Sequence, residues 1–435
     1  MNRFLAVVAT WLMVLVALAQ GGPGGPGGPG GQPTLSAQFN LNDWMTNEPA
    51  TDKNHFPDQL PAVEGNTITV DYDKGGSAQV QLFFRNNNPN QNFTGQLIVE
   101  DARYVHDTAP LPVPWGSPPP VTIPDTILSA PTVSLNIASL ATAPATLTIS
   151  GLPAFVTKGH IQLQMRAEGN FGAQVAGSQS LVPWSGGLTS QKVLITYAPP
   201  TGVMVPVWTE VAELSCTMAQ GDSILTDVSS SLSKGLFFSN LFWYFLPQGA
   251  MHYTQFTSPN DVKFDLSKFV IDMAAPGAEP GGCVDINTFL GILNHSQGIF
   301  AVGRRAEIDG PYGFLTNEFV PIGWDASQSS LYIRVAFDYH FQLVSAGQVY
   351  DSAMAYRYDL QGSVYMNPAF MWDFNGSWQS FASSSVFGLA YRRFLQQEDL
   401  PYTHPAYYFQ PYGAGPTAGQ SEVPEYRPVL ISQVH

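Results

Sequence analysis

The chain has 435 residues and carries 18 Lys plus Arg against 33 Asp plus Glu, a formal net charge of −15. This balance argues against a nucleic-acid partner, because binding to phosphates needs a basic surface patch. The 2 cysteines cannot supply a four-thiolate zinc site or a disulfide framework, and a hydrophobic content of 44% excludes a wholly disordered chain.

The N-terminus has the pattern of a secretory signal peptide. Arg3 precedes an apolar run that extends from Phe4 to Ala19 and ends in small residues, so we expect a signal peptide over residues 1–19. The alternative is an uncleaved anchor, but the run is slightly shorter than the roughly 20 residues that span a bilayer. Residues 20–33 repeat Gly-Gly-Pro and predict a spacer. We therefore expect a secreted, periplasmic or cell-envelope protein with no integral membrane domain after cleavage.

Residues 34–200 predict an antiparallel, immunoglobulin-like β-sandwich. Apolar and polar residues alternate there in short segments that Gly, Pro and Asn separate, as is typical of half-buried strands. A Pro-rich stretch over 110–124 is too poor in backbone donors for a central strand, and we expect it in a long loop. The predicted strands are residues 67–72, 78–85, 95–100, 132–138, 145–150, 160–167 and 192–197.

Helical patterns follow after residue 200. Apolar residues recur at helical spacing over 207–218, before Gly221, and again from residue 224 to a predicted end near Gly235. A short FDLSKFVIDM segment comes next. It precedes the pair of glycines before Cys283, where a third helical pattern begins.

Cys283 is the candidate nucleophile. Ile286, Phe289, Leu290 and Leu293 recur at helical spacing behind it, so the cysteine stands in the first turn of a buried helix. The free N–H groups and the positive dipole end at a helix N-terminus favour a thiolate over a thiol. The alternatives are a small buried residue or a Cys216–Cys283 disulfide; Cys216 itself lies within a helical stripe, which indicates a core residue.

A hairpin brings a candidate base and a candidate acid together. Residues 331–344 read as a strand that places His340 on the face opposite its apolar residues, and a second strand contains Asp351. If Ala346 and Gly347 form a two-residue turn, His340 lies diagonally across from Asp351, roughly 7–8 Å away between backbones. A longer turn would shift this register. The alternative is an exposed strand histidine beside an aspartate that merely flanks a turn.

Three motifs resemble those of one enzyme family. The segments GGCVDINTFLGILNHSQGI, YHFQLV and GQVYDSAMAY are similar to the motifs of the transglutaminase-like branch of the papain-type cysteine enzymes, in its bacterial exported members. The resemblance covers about residues 205–395. It implies that Cys283 is the nucleophile, His340 the base and Asp351 the acid that orients the base, without a cofactor or a metal.

The sequence thus predicts an α+β protein in which an N-terminal antiparallel β-sandwich precedes a transglutaminase-like (papain-like) α+β domain over residues 201–397. An aromatic and Pro-rich C-terminal extension over residues 398–435 is expected to cover that domain; the alternative is a binding surface for sugar or peptide. No histidine pair has the spacing of metal ligands.

The expected activity is acyl transfer or hydrolysis at amides of a protein or peptide substrate. An oxyanion donor is also needed. The candidates are the Cys283 N–H and a side chain of the aromatic stretch over residues 237–253, Tyr253 or Trp243. Two other functions stay open: a catalytically inactive binding or cell-envelope assembly module of the same fold, and a structural protein whose sandwich carries the function.

Overall fold

The predicted signal peptide and spacer, most of the Pro-rich stretch and residues 374–424 lie outside the described part of the chain. The computed structural model describes residues 35–38, 44–45, 70–107, 123–171, 184–185, 189–201, 204, 208–244, 251–273, 278–307, 314–315, 319–323, 336–337, 339–345, 347–358, 365–368, 372–373 and 425–434.

The described residues form a mixed α+β structure in which antiparallel sheets predominate. No described helix is long and apolar enough to cross a bilayer. The helices are α1 (Thr209–Met218), α2 (Leu225–Phe238), α3 (Leu266–Met273) and α4 (Cys283–Ser296).

The strands fall into an N-terminal group and a group interleaved with and following the helices. The first group is β1 (Leu35–Gln38), β2 (Trp44–Met45), β3 (Val70–Asp73), β4 (Ser77–Asn86), β5 (Phe93–His106), β6 (Thr126–Ile127), β7 (Val133–Ile137), β8 (Thr142–Ser150), β9 (Thr157–Phe171), β10 (Trp184–Ser185) and β11 (Thr189–Thr196). The second is β12 (Phe242–Tyr244), β13 (Thr254–Ser258), β14 (Asp261–Phe264), β15 (Glu279–Gly281), β16 (Ala301–Glu307), β17 (Phe314–Leu315), β18 (Phe319–Pro321), β19 (Ala336–Phe337), β20 (Tyr339–Ser345), β21 (Gln348–Tyr350), β22 (Met354–Tyr358), β23 (Tyr365–Pro368), β24 (Trp372–Asp373) and β25 (Glu425–Val434).

The N-terminal strands form two sheets that share one apolar core. Strand β4 pairs with β1, β2 and β8, while β5 and β9 lie at the centre of the other sheet. Phe84 and Leu147 of the first sheet pack in the same cluster as Phe93 and Leu163 of the second. A strand occurs at every position that the sequence predicts, although β5 and β9 are much longer than the predicted segments.

One strand pair departs from the predicted antiparallel arrangement. Strand β3 pairs with β11 in the parallel direction, from Val70 opposite Val193 to Asp73 opposite Thr196. Parallel neighbours need a long connection between them. Here that connection is the rest of the sandwich, so alternation within either strand could not reveal the direction.

A seven-stranded sheet accompanies the helices, in the order β13-β14-β25-β16-β20-β21-β24. Strand β25 lies between β14 and β16, with Pro428 opposite Arg304. Residues 425–434, predicted to belong to a C-terminal extension that covers the domain, are therefore an interior strand of this sheet. Proline argues against a central strand because it cannot donate to the ladder, and this is why the sequence did not indicate β25.

Helix α2 is longer than predicted. It continues past Gly235 to Phe238. A Cβ atom at Gly235 would lie 2.6 Å from Cγ of Met218 in α1. The glycine therefore permits the close approach of the two helices and does not end α2.

The C-terminal end of α4 docks on the end of the sandwich. The side chain of Gln297 accepts a hydrogen bond from the Tyr197 N–H at 3.1 Å and donates one to Ser215 Oγ at 2.7 Å. Gly298 has φ +71°, and a Cβ there would lie 2.4 Å from the Pro199 carbonyl oxygen. The helix that begins at Cys283 is thus fixed at its far end by α1 and by the segment that follows β11.

Candidate active site

Asp285 fixes the start of α4. Gly282 precedes the helix in an extended conformation, and the buried Asp285 carboxylate accepts its N–H at 3.2 Å. The same carboxylate accepts the N–H groups of His252, Tyr253 and Thr254 at 2.8–3.0 Å. These four backbone donors satisfy a carboxylate that would otherwise be costly to bury. They also hold residues 252–254 beside the first turn of α4.

Cys283 occupies the first position of α4, as predicted. Its side chain is nearly buried, with a relative exposure of 8%. Both cysteines are free thiols, so the structure contains no Cys216–Cys283 disulfide. Cys216 is fully buried within α1, and its Sγ lies 3.3 Å from Nε2 of Gln297.

The hairpin has the predicted register, because Ser345 pairs with Gln348. Asp351, however, lies just after the end of β21 and not within a strand as predicted. The imidazole of His340 contacts the Asp351 carboxylate at 2.7 Å between Nε2 and Oδ2. The alternative of an exposed strand histidine is wrong, because His340 has a relative exposure of 0%.

Burial extends to both faces of the strand that carries His340. His340 and Gln342 are fully buried, and so are Phe341 and Leu343 on the opposite face. Strand β20 is an interior strand of its sheet, between β16 and β21. The polar face that alternation predicts is therefore enclosed by protein.

The surroundings of His340 favour its charged form. Burial alone would lower its pKa, but the charge and hydrogen bond of Asp351, together with the hydrogen bond and charge of Cys283, outweigh that effect and raise the pKa to about 10. Nε2 is the nitrogen that Asp351 engages. His340 thus interacts with a thiol and with a carboxylate, the two kinds of group that accompany a base in nucleophilic catalysis.

Asp351 is held by three donors. Besides His340, Oδ1 accepts Nδ2 of Asn287 at 2.9 Å and the Ala353 N–H at 3.0 Å. Sequence reasoning missed Asn287. The only signal was its place one helical turn after Cys283 on the same helix, and nothing in the pattern distinguished it from other helix positions.

Helix α2 supports the segment that follows Asp351. The Ser352 N–H donates to Oδ1 of Asn287 at 2.9 Å, and Ser352 Oγ donates to the Ser233 carbonyl of α2 at 3.0 Å. Both Ser233 and Ser352 are buried. The position of Asp351 is therefore determined by α2 and α4 together.

Tyr253 is not suited to be an oxyanion donor. Its hydroxyl lies 3.0 Å from Oδ2 of Asp272 and 3.0 Å from Oε2 of Glu279. Burial and these two carboxylates raise the pKa of Tyr253 well above its ordinary value. The single phenolic proton is thus already engaged by carboxylates. The sequence could not indicate this, because all three residues meet only in the folded chain.

Trp243 is placed differently. It lies on β12 opposite Pro280 of β15, the strand that leads into Cys283, and its relative exposure is 41%.

Among the described residues, no group of three or more His, Cys, Asp or Glu is arranged to hold a metal ion.

Comparisons with known proteins find only slight likenesses. No family model matches the chain, and no curated protein does. A transglutaminase from red sea bream is 10% identical, with 68% of this chain and 51% of that chain covered and a TM-score of 0.31. The PapD-like domain 7 of human CEP192 is 13% identical over 35% of this chain and 92% of that domain, with a TM-score of 0.19. The periplasmic chaperone SfaE is 17% identical over 29% of this chain and 52% of its own, with a TM-score of 0.14. These TM-scores are too low to assign a family.

Proposed function

We propose that the protein is an exported cysteine enzyme with a transglutaminase-like domain, and that it performs acyl transfer or hydrolysis at amides of proteins or peptides. One observation carries the proposal. The buried His340 is bonded to Asp351 at 2.7 Å between Nε2 and Oδ2, and its imidazole also interacts with Cys283 at the start of α4. A nucleophile, a base and a group that orients the base are the parts that acyl transfer needs.

The first half of the reaction forms a thioester. His340 holds the proton of Cys283, and the thiolate attacks the carbonyl carbon of the amide. As the carbon–nitrogen bond breaks, the His340 imidazolium donates its proton to the leaving amine. The Asp351 carboxylate keeps the imidazole oriented and stabilises its charge throughout.

The second half releases the acyl group. A water molecule or an amine loses a proton to His340 and attacks the thioester, which regenerates the Cys283 thiolate. Water gives a carboxylic acid, and an amine gives a new amide. The N–H groups of the first helical turn have no partner within a helix, so that of Cys283 can stabilise the oxyanion. The partly exposed indole of Trp243 is the second candidate donor.

The N-terminal features set the place of the reaction. The signal peptide pattern over 1–19 and the spacer over 20–33 support a secreted, periplasmic or cell-envelope location. The net negative charge argues against a nucleic-acid substrate. The low content of charged residues, 12%, fits a neutral polar exterior.

A covalent probe tests the proposal. The purified protein is incubated with a peptide that carries an electrophile in place of its scissile amide, and the adduct is located by mass spectrometry. We expect one adduct on Cys283 that is lost in His340→Ala. Matched substitutions, Cys283→Ala and Cys216→Ala, follow the release of amine from unmodified peptides. Equal turnover in both variants, or an adduct that persists without His340, would refute a Cys283 enzyme. No turnover in the parent protein would favour the inactive binding module.

A further inference from the structure

Asn287 connects the three segments that carry the candidate catalytic residues. It lies on α4 one turn after Cys283 and is fully buried. Its Nδ2 donates to the carbonyl oxygen of Phe341 at 2.7 Å and to Oδ1 of Asp351 at 2.9 Å. Its Oδ1 accepts the Ser352 N–H at 2.9 Å. One amide group thus joins the nucleophile helix to the neighbour of His340 and to Asp351.

We infer that Asn287 is the positioning residue that holds Asp351 and the His340 strand in register with Cys283, and that the reactivity of the site depends on this connection. The inference rests on the proposed function. It concerns a residue that no motif in the sequence indicates. Asn287 touches neither the thiol nor the reacting carbonyl in this scheme; it acts through Asp351.

An amide is the side chain that suits this position. Two N–H donors and one acceptor are needed at once, and the neutral amide of asparagine offers both. A carboxylate at 287 would place a second negative charge about where the donor to Asp351 now lies, and like charges at that distance repel. An aliphatic side chain would leave the Phe341 carbonyl and the Ser352 N–H buried without their partner.

Loss of Asn287 removes one of the donors that hold Asp351, beside His340 and the Ala353 N–H. A carboxylate with fewer fixed donors can turn away from the imidazole. His340 would then lose part of the support that raises its pKa against the effect of burial. The high-pH limit of activity, where the imidazolium loses its proton, should therefore move to lower pH.

Asn294 provides a matched control on the same helix. It is also fully buried, donates to the Leu290 carbonyl at 2.8 Å and accepts a hydrogen bond from Ser229 Oγ at 2.6 Å. Asn287→Ala and Asn294→Ala therefore each remove a buried amide and two or more hydrogen bonds. Both are expected to lower stability, but only Asn287 contacts Asp351.

The experiment compares the pH profiles of kcat and KM for the two variants. For Asn287→Ala we expect kcat to fall by about 10- to 100-fold with KM little changed, because misplacement of reacting groups has effects of this order. We also expect its high-pH limit to fall by about one pH unit or more. Asn294→Ala should retain the high-pH limit of the parent protein. Equal shifts in both variants, or none in Asn287→Ala, would overturn the inference.

A second measurement does not depend on turnover. The His340 imidazole is titrated by NMR in histidine-labelled protein and assigned with His340→Gln. We expect a lower pKa of His340 in Asn287→Ala and no such change in Asn294→Ala. If the parent protein turned over no amide, the proposed function would fail, while this titration would still decide the role of Asn287.

A variant that keeps part of the connection distinguishes loss of the Asn287 contacts from general misfolding. Asn287→Ser retains one donor and should shift the pKa of His340 in the same direction by less than Asn287→Ala.

In the Asp351→Asn background, Asn287→Ala should add little further loss of activity, since the effects of residues that act through one contact are not additive. Full additivity of the two substitutions would contradict the inference.

Discussion

The two cysteines are both buried and both lie on helices, yet their surroundings differ completely. Cys216 lies inside α1, where its Sγ is 3.7 Å from the Ile195 carbonyl oxygen and 3.3 Å from the Gln297 amide nitrogen. Cys283 begins α4 and interacts with a histidine that is itself bonded to a carboxylate. The neutral surroundings of Cys216 are those of a packing residue at the junction with the sandwich. The His340–Asp351 pair beside Cys283 is the arrangement that its proposed role as a nucleophile requires.

This contrast shows that burial does not separate a structural cysteine from a reactive one. Cys216 has a relative exposure of 0% and Cys283 one of 8%. The difference lies in the neighbouring groups. Cys283 interacts with His340, which is bonded to Asp351, whereas Cys216 lies beside a backbone carbonyl and an amide nitrogen.

Substitution of each cysteine by serine should give the largest difference between the two sites. Cys283→Ser removes the nucleophile, and loss of a triad member lowers kcat by about 10⁴-fold or more. Cys216→Ser should keep the activity and cost about 1 kcal/mol of stability, because a hydroxyl is more costly to bury than a thiol. Amide turnover and urea denaturation measure the two effects. If Cys216→Ser folded but lost activity, the proposed difference in role between the two cysteines would be wrong.

Substitution of the aspartate in each of two His–Asp pairs tests the difference between the candidate site and the sandwich further. Asp351→Asn removes the main charge that raises the pKa of His340, so the high-pH limit of activity should fall from about 10 toward 6.5 or below. We expect kcat to drop by about 10²- to 10⁴-fold. Asp107→Asn is the control, since Asp107 contacts His160 at 3.1 Å in the sandwich. An unchanged pH profile in Asp351→Asn would contradict the assigned roles.

The same pair links stability to pH. His340 has a folded-state pKa raised above its ordinary 6.5 to about 10. Its charged form therefore contributes stability that is fully present below pH 6.5 and is lost as the pH rises through about 10. Asp351→Asn should remove this dependence, which urea midpoints between pH 6 and pH 10 would detect.

Local patterns were sufficient to indicate the hairpin and the start of α4. Helical spacing behind Cys283 and turn chemistry at Gly347 act over a few residues, and the structure brings Cys283, His340 and Asp351 together as those patterns predict. Asn287 could not be found this way, because its partners lie 54 to 65 residues along the chain. Tyr253 was misassigned for the same reason, since Asp272 and Glu279 approach it only in the folded protein.

Other differences arise from tertiary packing. Alternation in β20 correctly separates two faces, but it could not show that both are buried, which depends on the strands β16 and β21. The parallel β3–β11 pair and the interior position of β25 also depend on the topology of whole sheets. Local sequence propensity predicted the individual segments, but long-range contacts determined which strands pair with one another.

Substitution of two glycines with positive φ allows the junction near Cys216 to be compared with the hairpin near His340. Gly298 has φ +71° and no room for a Cβ, which would lie 2.4 Å from a backbone oxygen. Gly347 has φ +74° and nothing within 4 Å of a Cβ. Gly347→Ala should cost about 1–2 kcal/mol from the left-handed backbone alone. Gly298→Ala should cost at least about 3 kcal/mol, since the backbone must also move. Equal urea midpoints for the two variants would show that the junction tolerates such movement.

The smallest effect is expected at an ion pair of the junction. Lys192 of β11 contacts Glu213 of α1, and their side chains are 12% and 27% exposed. Lys192→Met should lower stability by about 1 kcal/mol or less and leave kcat unchanged, because partly exposed ion pairs contribute little. The exposed pair of Arg103 and Asp101 is the control, and Arg103→Met should leave the urea midpoint unaltered. A marked fall of kcat in Lys192→Met would mean that the contact between β11 and α1 affects the activity of the candidate active site.

The rate of cysteine alkylation tests the central claim most directly, with both cysteines measured in the same molecule. The folded protein is treated briefly with iodoacetamide at neutral pH, and modification of Cys216 and Cys283 is quantified by mass spectrometry. We predict that Cys283 is modified much faster than Cys216, because His340, the proposed base, interacts with Cys283. His340→Ala should slow the modification of Cys283 and leave that of Cys216 unchanged. Equal rates for the two cysteines, or a rate for Cys283 that does not depend on His340, would contradict the account.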